Sequence, residues 1–204
     1  IADITHKEIT TILEVKAQQH AETARRLFAN FDDLWRYACS REYCQTNITA
    51  NIHRRSALPM PKIKHYPKIT NPIVLKELIK SIYRYQGHIS SKNALKLVLH
   101  VPLRASNLVT LRWSFIDFEK KSLTIPRAEM KSKNAEPRDF TLPLSDEAIA
   151  ILKEQHLFTS HLDYVFHING THLNQETPNM ALKRMGFNDE ANGRKQTIHS
   201  FRGT

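Results

Sequence analysis

Two arginines, a lysine and a histidine, spread along this chain, make a set suited to stabilising a phosphoryl-transfer transition state. They are Arg104 in Leu103-Arg104-Ala105-Ser106-Asn107-Leu108, Lys131 in Glu129-Met130-Lys131-Ser132-Lys133, and the pair His199 and Arg202 in His199-Ser200-Phe201-Arg202. When a hydroxyl attacks a phosphodiester, negative charge spreads over the non-bridging oxygens. Arginine clamps such a group well because its planar fork donates two parallel bonds and stays charged. A general acid must also protonate the leaving oxygen, which lysine or histidine can do. His199 and Arg202 stand three residues apart, so on a helix they face the same way. Each of these residues alone is an ordinary surface feature. Their order, spacing and local context together carry the reading.

The elements that must position them follow from local patterns. Residues 1–52 read as a small all-helical unit. Thr5-His6-Lys7-Glu8 is a capping box, leading into a helix through Ile9, Ile12 and Leu13. Ala24, Leu27, Phe28, Phe31, Leu34, Trp35 and Ala38 recur at three- and four-residue steps and predict a second amphipathic helix. On another of its faces stand Arg25 and Arg36, with Arg26 beside them; this face is a candidate for a phosphate backbone or an ordinary solvated surface. Residues 53–70 read as a linker, kept extended by Pro59, Pro61 and Pro67. Its basic residues Arg54, Arg55, Lys62, Lys64 and Lys68 face no acid within the segment, which suits tracking along DNA.

Residues 71–204 read as the second unit. Asn71-Pro72 caps a helix over 72–86, a second spans 91–101, and after Pro102 a short helix runs from Ser106 to Trp113. Ile116-Asp117-Phe118, Leu123-Thr124-Ile125 and Phe140-Thr141-Leu142 predict three strands, with Lys131 and Lys133 in the loop between the last two. Ser145 caps a further helix, Thr177-Pro178 opens another that ends near Gly186, and Asp163-Tyr164-Val165-Phe166 reads as a buried strand. The expected fold class is therefore mainly α with a small three-stranded antiparallel sheet, an α+β architecture.

Composition bounds the partners. Of 204 residues, 41% are hydrophobic, enough for one large core or two small ones, and 30 Lys+Arg against 20 Asp+Glu leave a net charge of +10. Such a balance favours a polyanion, nucleic acid first. No apolar run approaches the ~18 residues that a membrane span needs, and no signal-peptide pattern opens the chain. Cys39 and Cys44 are the only cysteines among these residues, which suits a reducing cytoplasm and no disulfide framework. None of the 11 histidines sits in a metal-ligand pattern, so neither metal nor cofactor is expected. The chain opens on Ile1, as a fragment of a longer protein would.

The stretch Leu99–Trp113, LHVPLRASNLVTLRW, resembles the first arginine motif of tyrosine recombinases of the phage-integrase family. Ser114-Phe115-Ile116-Asp117 and the run Ile125-Pro126, Met130-Lys131, Leu142-Pro143-Leu144-Ser145 match that family's β-hairpin region. Thr197-Ile198-His199-Ser200-Phe201-Arg202-Gly203-Thr204 resembles its H-x-x-R segment. Glu22-Thr23-Ala24-Arg25-Arg26-Leu27 and Trp35-Arg36-Tyr37-Ala38 resemble its helical core-binding (SAM-like) domain, in the style of prophage and genomic-island integrases. The resemblance implies that Arg104 and Arg202 bind the scissile phosphate, Lys131 protonates the leaving 5′ oxygen and His199 assists proton transfer. A tyrosine then forms a 3′-phosphotyrosyl DNA intermediate without metal or external energy. It further implies double-stranded attachment-site DNA as partner, a tetramer on DNA for the full-length protein, a monomer for this fragment, and a nucleoid-associated place in a bacterial cytoplasm.

Two departures stand out. Asn107 occupies the position where the family commonly has an acid, with Glu129 and Asp117 as nearby candidates to orient the arginine instead. None of Tyr37, Tyr43, Tyr66, Tyr83, Tyr85 and Tyr164 follows Arg202, so the nucleophile is expected beyond Thr204, and this chain alone would bind DNA without cleaving it. The alternative is a non-catalytic DNA-binding or architectural protein on a recombinase scaffold. A type IB topoisomerase shares the chemistry, but the helical first unit argues against it. A plain basic interaction domain is the remaining reading.

Overall fold

The capping signal at Thr5 is realised. Its Oγ1 accepts from the Glu8 N–H at 3.3 Å, and its own N–H donates to Glu8 Oε2 at 2.8 Å, starting helix α1 (His6–Gln19). The computed structural model describes residues 1, 3–61, 66–130 and 138–204, and the chain divides into two units, Ile1–His65 and Tyr66–Thr204.

In the first unit α1 packs on α2 (Ala21–Ser40) around Ile9, Leu13, Ala17, Ala24 and Trp35. Leu27, Phe28 and Phe31 close this core from its edge. Leu34 departs from the expected stripe and is 47% exposed. The unit continues past residue 52: α3 (Arg54–Ala57) follows, and Leu58 is 1% exposed in the same core. Asp32 on α2 ties down the loop after the helix, accepting from Asn47 Nδ2 at 3.0 Å and Thr49 Oγ1 at 2.8 Å.

In the second unit buried Ile69 precedes helix α4 (Pro72–Arg84), capped by Asn71 Oδ1 accepting from Ile73 N–H at 2.9 Å. Helix α5 (Ile89–His100) is the central element and packs against α4 and later helices. Pro102 ends its run, since proline lacks the N–H that a continuing helix needs. Helix α6 (Ala105–Val109) is followed by β1 (Ile116–Asp117), β2 (Ser122–Ile125) and β3 (Phe140–Pro143), an antiparallel sheet in the order β1-β2-β3 with Leu123 opposite Leu142. Helix α7 (Asp146–Thr159), capped by Ser145, lies against α5 through buried Asn93, Gln155, Ser90 and Thr159, whose side chains hydrogen-bond one another. Then come the hairpin β4 (His167–Ile168) and β5 (Thr171–His172), helix α8 (Glu176–Arg184), the hairpin β6 (Asn188–Asp189) and β7 (Arg194–Lys195), and a 3-10 turn at Ser200–Arg202. The fold is mainly α with small antiparallel sheets, as the sequence predicts.

Two local expectations are corrected. The helix after Arg104 stops at Val109 rather than reaching Trp113, and Asp163–Phe166 is no strand but a single bridge, Arg112 to Tyr164. One cause explains both. Leu111 is 1% exposed, its carbonyl accepts from Val165 N–H at 2.8 Å, and the Trp113 N–H donates to the Asp163 carbonyl at 3.1 Å, so cross-chain pairing takes the backbone groups that a helix would use. Among the described residues no helix is long and apolar enough to cross a membrane.

Candidate phosphate-binding site

Arg104 is the N-cap residue of α6, with extended backbone at φ −64 and ψ 147. Leu103 and Leu108 on either side are buried, which fixes the backbone and turns the guanidinium outward. Its side chain has no hydrogen-bond or ion-pair partner among the described residues. Arg112, Arg194, Arg26 and Arg36, by contrast, each face a carboxylate, of Glu129, Glu77, Glu22 and Asp32 respectively.

His199 and Arg202 bracket a 3-10 turn instead of opening an α-helix. With three residues per turn, positions three apart eclipse, so the two side chains still share one side. Both are exposed, and the side chain of Arg202, like that of Arg104, has no charged or hydrogen-bonding partner among the described residues. The turn itself is trussed from several directions. Asn179 of α8 accepts from Ile198 N–H at 3.0 Å, and Thr197 Oγ1 accepts from Ser200 N–H at 3.2 Å. Ser200 Oγ donates to the Pro67 carbonyl at 2.7 Å. Gln196, 2% exposed, accepts from Ile69 N–H at 3.0 Å and donates to Thr204 Oγ1 at 3.0 Å.

The two arginine-bearing segments are neighbours. Pro102, two residues before Arg104, and Phe201, just before Arg202, line one cleft of about 330 Å³ together with Thr204. Lys131 and Lys133 lie outside the described residues. The base of their loop is fixed: Arg127 N–H donates to Asp139 Oδ1 at 2.9 Å, Ile125 pairs with Phe140, and Met130 packs on the core.

No substitute acid reaches Arg104 among the described residues. Asn107 Oδ1 accepts from Ser106 Oγ at 3.3 Å, and Glu129 faces Arg112 at 4.0 Å. The Asp117 carboxylate accepts the backbone N–H of Lys120 and then its ammonium, which hold that carboxyl below the ordinary aspartate range.

The expected DNA-facing cations of the first unit fare unequally. Arg25 is corrected: it is 9% exposed, and its guanidinium donates to the carbonyls of Leu58 at 3.1 Å and Arg54 at 3.4 Å, so it braces α3 against α2. Its long side chain reaches inward although the helical wheel puts its Cα near that of Arg36. Arg26 and Arg36 are exposed, each bonded to an acid one turn earlier, Glu22 and Asp32. Arg54 is exposed on α3. Lys62, Lys64 and the side chain of Arg55 lie outside the described residues.

Sequence reasoning missed Gln196, Asn179, Ser200 and Tyr66, whose roles depend on partners far along the chain. The ring of Tyr66 lies 5.0 Å from that of His199.

A sequence model described as the phage integrase family matches residues 69–204. The prophage integrase IntZ of Escherichia coli is 25% identical over 207 aligned residues, covering 100% of this chain and 48% of that protein. The chain thus spans about half the length of the curated relatives it matches. Among solved structures, the Tn1549 transposon integrase in complex with a circular intermediate DNA superposes with a TM-score of 0.73 at 13% identity, over 100% of this chain and 72% of that one. A lambda integrase tetramer bound to a Holliday junction gives 0.70 at 18% identity, over 100% and 59%.

Proposed function

This chain belongs to the phage integrase family, and we propose that it is the DNA-gripping and phosphate-binding part of a site-specific recombinase that breaks and rejoins DNA through a 3′-phosphotyrosyl link. The observation that carries this reading is the pair Arg104 and Arg202: two cations on core-anchored segments, side chains exposed and without partners among the described residues. A charge left unneutralised on an anchored backbone segment suits a phosphate, because no existing ion pair has to be broken when the anion arrives. In this scheme both arginines hold the scissile phosphate. Lys131 gives its proton to the 5′ oxygen as it leaves, and His199 assists the proton transfer. The nucleophile is a tyrosine of the whole protein, and none of the tyrosines named above is assigned that role. The phosphodiester energy is kept in the protein–DNA bond, so neither metal nor nucleotide cofactor is required.

The partner on this reading is attachment-site duplex DNA. The whole protein works as a tetramer, in line with the lambda integrase assembly on a Holliday junction, and acts at the bacterial nucleoid on an integrating element. Arg26, Arg36, Arg54, Arg55, Lys62, Lys64 and Lys133 supply further phosphate contacts. The two-unit division, with residues 1–52 as the core of a DNA-binding domain and 71–204 as a catalytic domain, is part of the same proposal.

The test incubates the whole protein with labelled duplex carrying the attachment site, quenches in SDS and looks for a covalent protein–DNA band. A band that disappears in Arg104→Ala and in Arg202→Ala, with much of the DNA affinity kept, is the expected result. Near-normal cleavage by either variant would sink the site assignment. One observation favours a second reading, a non-catalytic architectural protein: no carboxylate orients Arg104 among the described residues, where the family resemblance leads one to expect an acid. DNA binding without any covalent band selects that reading.

A further inference from the structure

Resting on the recombinase reading above, we propose that Tyr66 is a positioning residue that holds the His199 imidazole in its working orientation. The two rings lie 5.0 Å apart between centroids at an interplanar angle of 60°. Tyr66 is 69% exposed and buries little of itself in the core. Its place is nevertheless tightly determined. It precedes Pro67, whose ring restricts Tyr66 to extended backbone. Immediately after it, the Pro67 carbonyl accepts from the Ser200 hydroxyl at 2.7 Å, and the Ile69 N–H donates to buried Gln196 Oε1 at 3.0 Å. Ile69 is fully buried in the same core as Ile198 and Phe201. Lys68 runs past Gly203, so that a Cβ there would sit 3.5 Å from its Cδ and Nζ. Residues 66–69 therefore form a strap along the turn that carries His199 and Arg202.

The strap solves a problem that the turn alone leaves open. His199 is exposed, and its ring has no hydrogen-bond partner on its own 3-10 turn among the described residues. An exposed imidazole samples several rotamers, and only some of them present a nitrogen to a phosphate oxygen. A neighbouring aromatic ring removes part of that freedom without taking up either ring nitrogen, which a hydrogen-bond partner would do. The tyrosine hydroxyl plays no part in this role, so phenylalanine should serve as well.

A double-mutant cycle in the whole protein tests this, with single-turnover formation of the covalent complex measured at saturating attachment-site duplex. Tyr66→Ala should slow the step by about 2- to 10-fold, the range spanned by an aromatic pair contact, with unchanged DNA affinity. Tyr66→Phe should restore the rate. Adding Tyr66→Ala to His199→Ala should cost nothing more, because the residue acts through the imidazole. Additive losses, or a rate deficit that vanishes at high DNA concentration, would overturn the proposal and mark Tyr66 as a DNA contact. An independent readout uses this 204-residue chain without DNA: the ring-proton NMR signals of His199 should shift in Tyr66→Leu as the ring current is lost. Unshifted signals overturn the ring contact whether or not the protein cleaves. Absence of a covalent complex from the unmodified protein overturns instead the recombinase reading, and with it the catalytic consequence drawn here.

Discussion

At the residue scale, what separates cations of one type is what their side chains already hold. Arg25 and Arg26 are chain neighbours on one helix, yet the first braces two carbonyls from a position 9% exposed while the second makes a solvated pair with Glu22. Removing Arg25 leaves buried acceptors without donors, which costs about 1–3 kcal/mol. Removing Arg26 breaks an exposed ion pair whose contribution is about 0.2–1 kcal/mol at most. Urea unfolding of Arg25→Ala and Arg26→Ala should therefore separate clearly, and equal midpoints would refute the bracing role. Sequence alone made Arg104, His199 and Arg202 stand out, because their identity and local context carry the signal. It could not make Arg25 structural, since the carbonyls it binds are 29 and 33 residues away. Nor could it pick out Gln196, whose buried amide matters through Ile69, 127 residues earlier.

At the element scale, signals written within a few residues are realised and those settled across the chain are not foreseeable. The Thr5 box, the Asn71-Pro72 start and the Ser145 cap are local hydrogen-bond chemistry, and each stands where the sequence puts it. The end of α8 is equally local: Gly186 at φ +87 lets Phe187 N–H reach the Leu182 carbonyl and Gly186 N–H the Lys183 carbonyl, each at 3.0 Å. Period alone does not reveal the hairpin β4–β5, although Asn169-Gly170, at φ 47 and 85, is a turn signal, because two-residue strands have no period to display. The end of α6 depends on pairing with residues 163–165, which no local pattern announces. One element carries its own acid sensitivity. Hydrogen bonds from Asn47 and Thr49, with the Arg36 guanidinium, hold the Asp32 carboxyl below its ordinary value of 3.8. A lowered folded-state value means that the carboxylate stabilises the first unit in full above about pH 3.8 and loses that contribution as pH falls through the lowered value. Thermal melts across this acid range should show a shallower pH dependence for Asp32→Asn than for the unmodified chain. Parallel curves would mean that the clasp on the α2 loop does not contribute to stability.

At the scale of the whole molecule, the excess of ten positive charges says that a polyanion is welcome but not which cations meet it. Ion pairs already neutralise Arg26, Arg36, Arg112 and Arg194 in part. Residues 53–70, with five basic residues and no acid, are the place where the excess concentrates in sequence. Each phosphate neutralised on B-DNA releases condensed counterion, and the logarithm of the binding constant falls with the logarithm of salt at a slope of about −0.9 per contact. If Lys62 and Lys64 each meet a phosphate, Lys62→Ala with Lys64→Ala should make that slope shallower by about 1.8. Arg26→Ala should change it less, since Glu22 already screens that charge. The affinity loss should also be uniform across unrelated duplexes, because phosphate contacts carry no base information. Fluorescence anisotropy over a salt series, on one attachment-site duplex and one random duplex, reads all three quantities at once. An unchanged slope in the lysine pair would show that these two lysines do not touch DNA, whereas a loss confined to the attachment-site duplex would transfer them from backbone tracking to sequence recognition.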